Sequence, residues 1–279
     1  MKQVRALVIT GYGLNCDYET HFSLKLAGAT PRRVHINEFI TRGTDKKRTR
    51  LEKYHILVLG GGFSWADDHG AGVLMASKLR RHLGDQLEQF INDGKLVMGI
   101  CNGFQALVNL GLLPAFDCNY TERRVALTHN ESGNFIDTWV NLRINSRSPS
   151  VFTKGMTTIE LPIRHGEGKF YAAKEDMNRI LENNQVVFQY ADEKGERACG
   201  RRQYNPNGSL EDIAGICDPT GHILGLMPHP EAFNHYTNHP RWTRESEKLL
   251  RKKGEIESLI GDGIKIFKNG VDYIRETLL

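Results

Sequence analysis

No run among the 279 residues approaches the ~18 consecutive apolar side chains of a membrane-spanning helix. The opening segment MKQVRALVIT reads straight into a strand-like run, so a secretory leader is not expected. Cysteine is scarce: Cys16, Cys101, Cys118, Cys199 and Cys217 are odd in number, scattered, and include no Cys-x-x-Cys pair, which excludes a secreted disulfide scaffold. Excess charge is also missing. With 37 Lys and Arg against 33 Asp and Glu, the net +4 is too small to argue for a nucleic-acid partner. Internal repeats and low-complexity linkers are absent, so residues 1–279 are expected to form one domain, although ~150 residues per domain would allow two. A reduced, cytoplasmic chain with an ordinary hydrophobic fraction of 39% is expected. At this length it buries roughly three quarters of its unfolded surface without disulfides.

What is present, in the first half, is an alternation of short apolar runs and helix-period segments. Residues 4–9 (VRALVI), 34–39, 55–59 (HILVL) and 96–100 (LVMGI) read as strands. Residues 17–26 read as a helix ending near Gly28, and residues 103–110 as one closed by Gly111. Residues 78–92 carry Leu79, Leu83, Leu87 and Ile91 every fourth position, and Asp93-Gly94 stops them. Continuous apolar strands separated by helices predict an α/β fold with an open, mostly parallel sheet flanked by helices. Between about 120 and 190 the runs shorten and Gly, Asn, Ser and Pro clusters separate them, predicting a smaller antiparallel portion in the middle of the chain. Residues 213–216 and 223–227 predict a hairpin, 241–253 a charged helix, and 262–278 a last helix with Ile264, Phe267, Val271 and Ile274 on one face. The basic run 42–53 reads as a solvated loop or helix face.

Gly99-Ile100-Cys101-Asn102-Gly103-Phe104-Gln105 spans a strand-to-helix junction. Open α/β sheets place their chemistry at the carboxyl ends of central strands, and a cysteine on such a sharp turn resembles a nucleophile elbow. The helix that follows turns its free N–H groups and positive dipole end toward the sulfur, which favours thiolate and offers, through the Asn102 N–H, half an oxyanion hole. Taken alone, a cysteine is more often a buried structural residue; the Gly-x-Cys-x-Gly frame reverses that reading. A thiolate needs a base held by a third group. His229-Pro230-Glu231, after an apolar strand, supplies both, because alternate residues of an extended segment share a face. Gly60-Gly61-Gly62-Phe63-Ser64 lacks the Gly-Lys-Ser/Thr ending of a phosphate loop and is read as an oxyanion loop. Asn15 and Asp17 are read as a helix cap in preference to a direct role in the site, and Cys16, Cys118, Cys199 and Cys217, having no placed base, as structural.

Together these residues resemble the class I, triad-type glutamine amidotransferases, whose fold is flavodoxin-like. Asn15-Cys16-Asp17-x-Glu19-Thr20, Gly61-Gly62-Phe63-Ser64, His165-Gly166-Glu167-Gly168, Tyr204-Asn205-Pro206-Asn207-Gly208-Ser209, Met227-Pro228-His229-Pro230-Glu231 and Asp262-Gly263-Ile264-Lys265-Ile266-Phe267 narrow the resemblance. They are similar to the glutaminase subunits of phosphoribosylformylglycinamidine synthases, over about 3–233 and 261–275. The resemblance implies that Cys101 attacks the glutamine amide, that His229 serves as base and then acid, and that Glu231 orients it. It implies an oxyanion hole from the N–H groups of Gly62 and Asn102, and a glutamine pocket of Gln105 with the backbone at His165, Gly166 and Glu167. It further implies ammonia delivery to an ATP-dependent synthetase subunit, with a small bridging subunit, for de novo purine synthesis. No metal or cofactor is expected in this chain, with ATP and Mg confined to the partner; neither nucleic acid nor membrane is expected as a partner. The chain departs from the family at Gly60, where proline is usual, at Trp65-Ala66-Asp67, where aromatic-Gly-Asp is usual, and at Thr138, where an arginine precedes the tryptophan. Residues 234–260 read as an insertion, either an interface element or a solvated one.

Competing readings are a glutaminase for another nucleotide pathway, an idle regulatory or glutamine-binding subunit, and a related cysteine hydrolase acting on peptides. His165 to Gly168 and Asn205 to Ser209 speak against the first, the complete Cys101, His229 and Glu231 set against the second, and Gln105 against the third.

Overall fold

The computed structural model describes residues 3–40, 49–253 and 258–279. The first half builds β1 (Arg5–Thr10), α1 (Asp17–Leu26), β2 (Thr30–His35), α2 (Asn37–Ile40), β3 (Ile56–Leu59), α3 (Val73–Asn92), β4 (Leu96–Ile100) and α4 (Asn102–Leu110). The middle follows with β5 (Val125–His129), β6 (Ile136–Ile144), β7 (Thr158–His165), β8 (Glu167–Ala172), α5 (Lys174–Glu182) and β9 (Val186–Ala191). The last part is the hairpin β10 (Ile213–Cys217) and β11 (Ile223–Leu226), then α6 (Trp242–Lys253) and α7 (Ile264–Thr277). Nine strands form one sheet in the order β2-β1-β3-β4-β11-β10-β9-β6-β7. It is parallel from β2 to β11 and antiparallel from β11 to β7, and β5 pairs with β8 in a separate two-stranded antiparallel sheet. The α/β fold expected from the alternating runs is therefore present, and the antiparallel portion joins the parallel half edge to edge.

Every residue of β3, β4 and β11 is buried, as continuous apolar runs at the centre of a two-sided sheet require. Glycines set the helix-to-sheet distance. A Cβ on Gly103 would lie 1.9 Å from the Leu59 carbonyl oxygen and one on Gly99 2.6 Å from the Gly103 oxygen, so α4 rests directly on β3 and β4. On the opposite face Gly270 of α7 packs on Phe152 and on Leu96. The spacing-of-four stripe in α3 is buried as expected, and so is the Ile264, Phe267, Val271 and Ile274 face of α7.

Two elements differ from expectation. The second strand covers Thr30–His35 rather than 34–39, and Phe39 is buried from a helical turn instead. This is an edge strand paired only with β1, where a proline and half-exposed arginines are tolerated, so its sequence carries little apolar signal. Helix α5 falls in the stretch expected to hold strands and loops. It buries only Asp176, Met177 and Ile180, a stripe too narrow to mark it. Much of the basic run 42–53 and residues 254–257 of the expected insertion lie outside the described residues. The described part of 234–260 is docked: Arg241 and His239 pair with Glu160 of β7, at 2.8 and 3.1 Å. The His239 ring also packs edge-on against Trp139 and at a tilt against Phe233. Among the described residues no helix is long and apolar enough to cross a membrane.

Candidate active site

Three neighbouring parallel strands end at one edge of the sheet and deliver three segments there. Leu59 of β3 pairs with Gly99 of β4, and Ile100 of β4 with Leu226 of β11. The glycine loop, Cys101 and the His229-Pro230-Glu231 segment follow these strand ends directly. Register alone thus brings together groups more than 120 positions apart in sequence, as 229 − 101 = 128 shows for the cysteine and histidine.

Cys101 caps the N-terminus of α4 at φ 51° and ψ −107°, a conformation L-residues rarely adopt, and is 5% exposed. Its N–H donates to the Leu226 carbonyl at 2.8 Å, which ties the turn to β11, and its thiol faces the Arg164 carbonyl at 3.7 Å. His229 is 2% exposed and Glu231 fully buried. The histidine Nδ1 lies 2.6 Å from Glu231 Oε1, so the ring donates there and presents Nε2 elsewhere. Nε2 has no protein hydrogen-bond partner among the described residues. Burial by itself would lower the proton affinity of His229. Glu231, and then the Cys101 and Cys16 sulfurs, outweigh it and hold the pKa well above the ordinary value. The His229 backbone N–H donates to the Pro162 carbonyl at 2.8 Å, so the far edge strand β7 returns to this corner and carries His165 with it.

Cys16, read as structural for want of a base, does lie beside one: its sulfur is 4.0 Å from His229 Nδ1 and donates to Asn15 Oδ1 at 3.4 Å. Burial is the main cause of its raised thiol pKa, which keeps it protonated and distinguishes it from a nucleophile. Gly61 makes this packing possible, since a Cβ there would fall 2.7 Å from the imidazole and 3.1 Å from the Cys16 sulfur. The expected cap at Asn15 and Asp17 is absent: Cys16 holds the N-cap position of α1 without a side-chain cap bond, and Asp17, the first helical residue, pairs with Arg33 at 2.8 Å. Cys217 is buried with its thiol pushed up to about 12 by desolvation, while Cys118 and Cys199 are exposed.

Gly62 pairs with Leu14 in an isolated bridge in which the flanking Asn15 and Phe63 N–H groups make the hydrogen bonds. In that pairing the Gly62 N–H points away from the Leu14 strand. Its φ of +139° and the 2.6 Å from a Cβ to the Gly13 oxygen leave room for no side chain. Asn102 ties this loop to the helix: its Oδ1 accepts from the Ser64 N–H at 3.3 Å, and its amide donates to Asp67 at 2.8 Å and to Gln105 Oε1 at 3.2 Å. Gln105 in turn donates to the Glu167 carbonyl at 2.6 Å. His165, 3% exposed, is held neutral by burial, helped by the nearby charge of His229, with a pKa of about 3. Its Nδ1 meets Asn130 Oδ1 at 3.0 Å. Asn130 also donates to the His165 carbonyl and accepts from the Gly168 N–H, which locks the His165–Gly168 turn; nothing in the sequence marks it.

The Asn205 to Ser209 segment buttresses the same turn. Asn207 donates to the Gly168 carbonyl and the Tyr190 hydroxyl, both at 2.9 Å, and Ser209 accepts from the Phe170 N–H at 3.0 Å. Asn207→Ala strips two buried acceptors of a donor and should destabilise the fold by about 1–3 kcal/mol. A thermal melt checks this; an unchanged Tm would mean the segment is not the buttress described.

A strained cysteine between a central parallel strand and a helix, beside a buried His–Glu pair that follows the adjacent strand, is the arrangement of a cysteine-nucleophile site on an α/β fold. The profile of the CobB/CobQ-like glutamine amidotransferase domain matches residues 3–274. Phosphoribosylformylglycinamidine synthase subunit PurQ of Methanococcus maripaludis is 42% identical over 272 residues, 98% of either chain. The PurQ of Dehalococcoides mccartyi is 41% identical over 99% of this chain and 100% of its own. Among solved structures, that of PurLQS from Thermotoga maritima matches with a TM-score of 0.69 and 28% identity, covering 98% of this chain and 100% of that one. A second Thermotoga maritima structure, of a glutamine amidotransferase, shares the fold at 17% identity and a TM-score of 0.52, covering 99% of this chain and 98% of its own. The chain belongs to the CobB/CobQ-like glutamine amidotransferase family and, within it, to the PurQ subunits of phosphoribosylformylglycinamidine synthase.

Proposed function

We propose that this chain, a single domain over residues 1–279, hydrolyses L-glutamine to glutamate and ammonia through a thioester on Cys101. The observation that carries the reading is the 2.6 Å contact between His229 and Glu231, wholly buried, beside a cysteine held at positive φ. The thiol proton passes to His229 Nε2 and the sulfur attacks the amide carbon. The carbonyl oxygen becomes an oxyanion, for which the Gly62 and Asn102 N–H groups are the donors; each such donor supplies about 3–4 kcal/mol in comparable sites. His229 then protonates the departing nitrogen and ammonia leaves. Water attacks the thioester, its proton goes to His229, and glutamate departs as the Cys101 sulfur regains its proton. Glu231 holds the ring in the tautomer these transfers need. Gln105, with the backbone at His165, Gly166 and Glu167, lines the glutamine pocket.

Nothing in the reaction so written consumes ATP. The ammonia is used by a separate ATP-dependent synthetase that converts formylglycinamide ribonucleotide to its amidine in de novo purine synthesis. The PurQ relatives and the PurLQS assembly support that assignment. A small third subunit bridges the two, ATP and Mg belong to the synthetase, this chain uses no cofactor, and the complex works in the cytoplasm. Delivery from one subunit to the next keeps ammonia unprotonated, so activity of the isolated chain is expected to be low. The test is an acid quench of the complex turning over glutamine, followed by peptide mass spectrometry. A glutamyl adduct on Cys101 is expected; an adduct on Cys16 instead, or none during active turnover, would contradict the mechanism.

A further inference from the structure

Asp67 stands out in the site as a charge with no counter-charge. Its carboxylate is half-buried and accepts from the Asn102 amide at 2.8 Å. Among the described residues no lysine, arginine or histidine pairs with it. The nearest charged influence is Glu167, of the same sign, and desolvation, reinforced by Glu167 and opposed by the Asn102 bond, lifts its pKa to about 6. The turn that carries Asp67 is strained. Trp65, Ala66 and Asp67 occupy the left-handed region in succession, at φ 53°, 55° and 55°. Tyr12 pins that strained turn, accepting from the Trp65 N–H at 2.7 Å and stacking on its ring at 4.7 Å.

The position explains what the charge is for. Asp67, Asn102 and Gln105 form one chain of hydrogen bonds that ends on the Glu167 carbonyl, and Asn102 is the residue next to Cys101. Both hydrogens of the Asn102 amide are taken, one by Asp67 and one by Gln105, so Asn102 has no donor to spare and Asp67 offers acceptor oxygens only. A glutamine whose amide carbon meets Cys101 carries, three carbons away, an α-ammonium with three N–H donors. We propose that Asp67 is the acceptor for the α-ammonium of the substrate, so that this carboxylate makes the site selective for a free α-amino acid. The inference rests on the glutaminase reading above. A substrate cation neutralises the pair of like charges on Asp67 and Glu167 and finds its own salt bridge in a partly desolvated site.

The test compares L-glutamine with glutaramic acid, the same molecule without the α-amino group, both assayed by ammonia release in the complex with the synthetase. The wild type is expected to favour glutamine by at least about 100-fold in kcat/KM, since a site built to pair a group rejects the analogue lacking it. Asp67→Asn should lower kcat/KM for glutamine about 10- to 100-fold, mainly through KM, and leave glutaramic acid within about twofold. Asp67→Glu, which keeps the charge, should restore most of the preference. Equal losses on both substrates would mean that Asp67 only positions Asn102, and no loss on glutamine would mean that it does neither; each overturns the subsite. Turnover of glutamine by the wild-type complex in the same assay separates these outcomes from failure of the glutaminase reading, which its absence would signal.

Discussion

Glu231→Gln should lower glutamine hydrolysis by about 10²- to 10⁴-fold while leaving the protein folded. The substitution keeps the volume and removes the charge. His229 is then left with burial, the largest single influence on it and one that lowers its proton affinity, against the weaker pull of the two sulfurs. A glutamine amide can also present its NH₂ to Nδ1 and so select the wrong tautomer. The sign of the pH dependence follows. In the wild type the His229 pKa is raised, so the pair's contribution to stability is complete below the unfolded value of ~6.5 and is lost as pH rises through the folded one. Melts across that range should show this loss in the wild type and not in Glu231→Gln. A variant with near wild-type turnover would remove Glu231 from the mechanism.

Gly103→Ala should be the most damaging single methyl addition in the site. The added carbon would sit 1.9 Å from the Leu59 carbonyl oxygen and 2.5 Å from its carbon. Both are backbone atoms of a central, fully buried strand, so nothing flexible can yield. Either α4 lifts off β3, which moves the Asn102 N–H and the Cys101 turn, or the fold loses about 4 kcal/mol or more. Chemical denaturation and glutaminase assays on the same preparation check it. Gly84→Ala, inside α3 where the added methyl meets nothing beyond its own helix, is the matched control: it should leave glutaminase activity unchanged and raise stability by up to about 1 kcal/mol.

These two cases mark what can be read in advance. The frame around Cys101, the His229 and Glu231 pair and the glycine loop each sit within a few consecutive residues, and each follows directly from a strand. Parallel pairing then places them side by side without further information. Cys16 escapes a sequence reading because its partner is 213 positions away and no local pattern announces a thiol beside a base. Asp67 stands in the sequence only as part of a departure from the family pattern, because its meaning depends on the lack of a paired cation among the described residues, a property of packing. Asn130 and the Asn205 to Ser209 segment behave alike: their amides satisfy the backbone of a distant turn. Strand β2 and helix α5 escape for a simpler reason, since an edge strand and a mostly exposed helix bury too little to impose a period.

Release of glutamate from glutamine by the purified chain, alone and with the ATP-dependent synthetase, tests the central claim most directly, with Cys101→Ala as the control. Slow release by the chain alone, a large increase when the partner is present, and none from Cys101→Ala under either condition are expected. Release that persists in Cys101→Ala, or a folded wild-type chain that releases no glutamate with its partner bound, would contradict that claim.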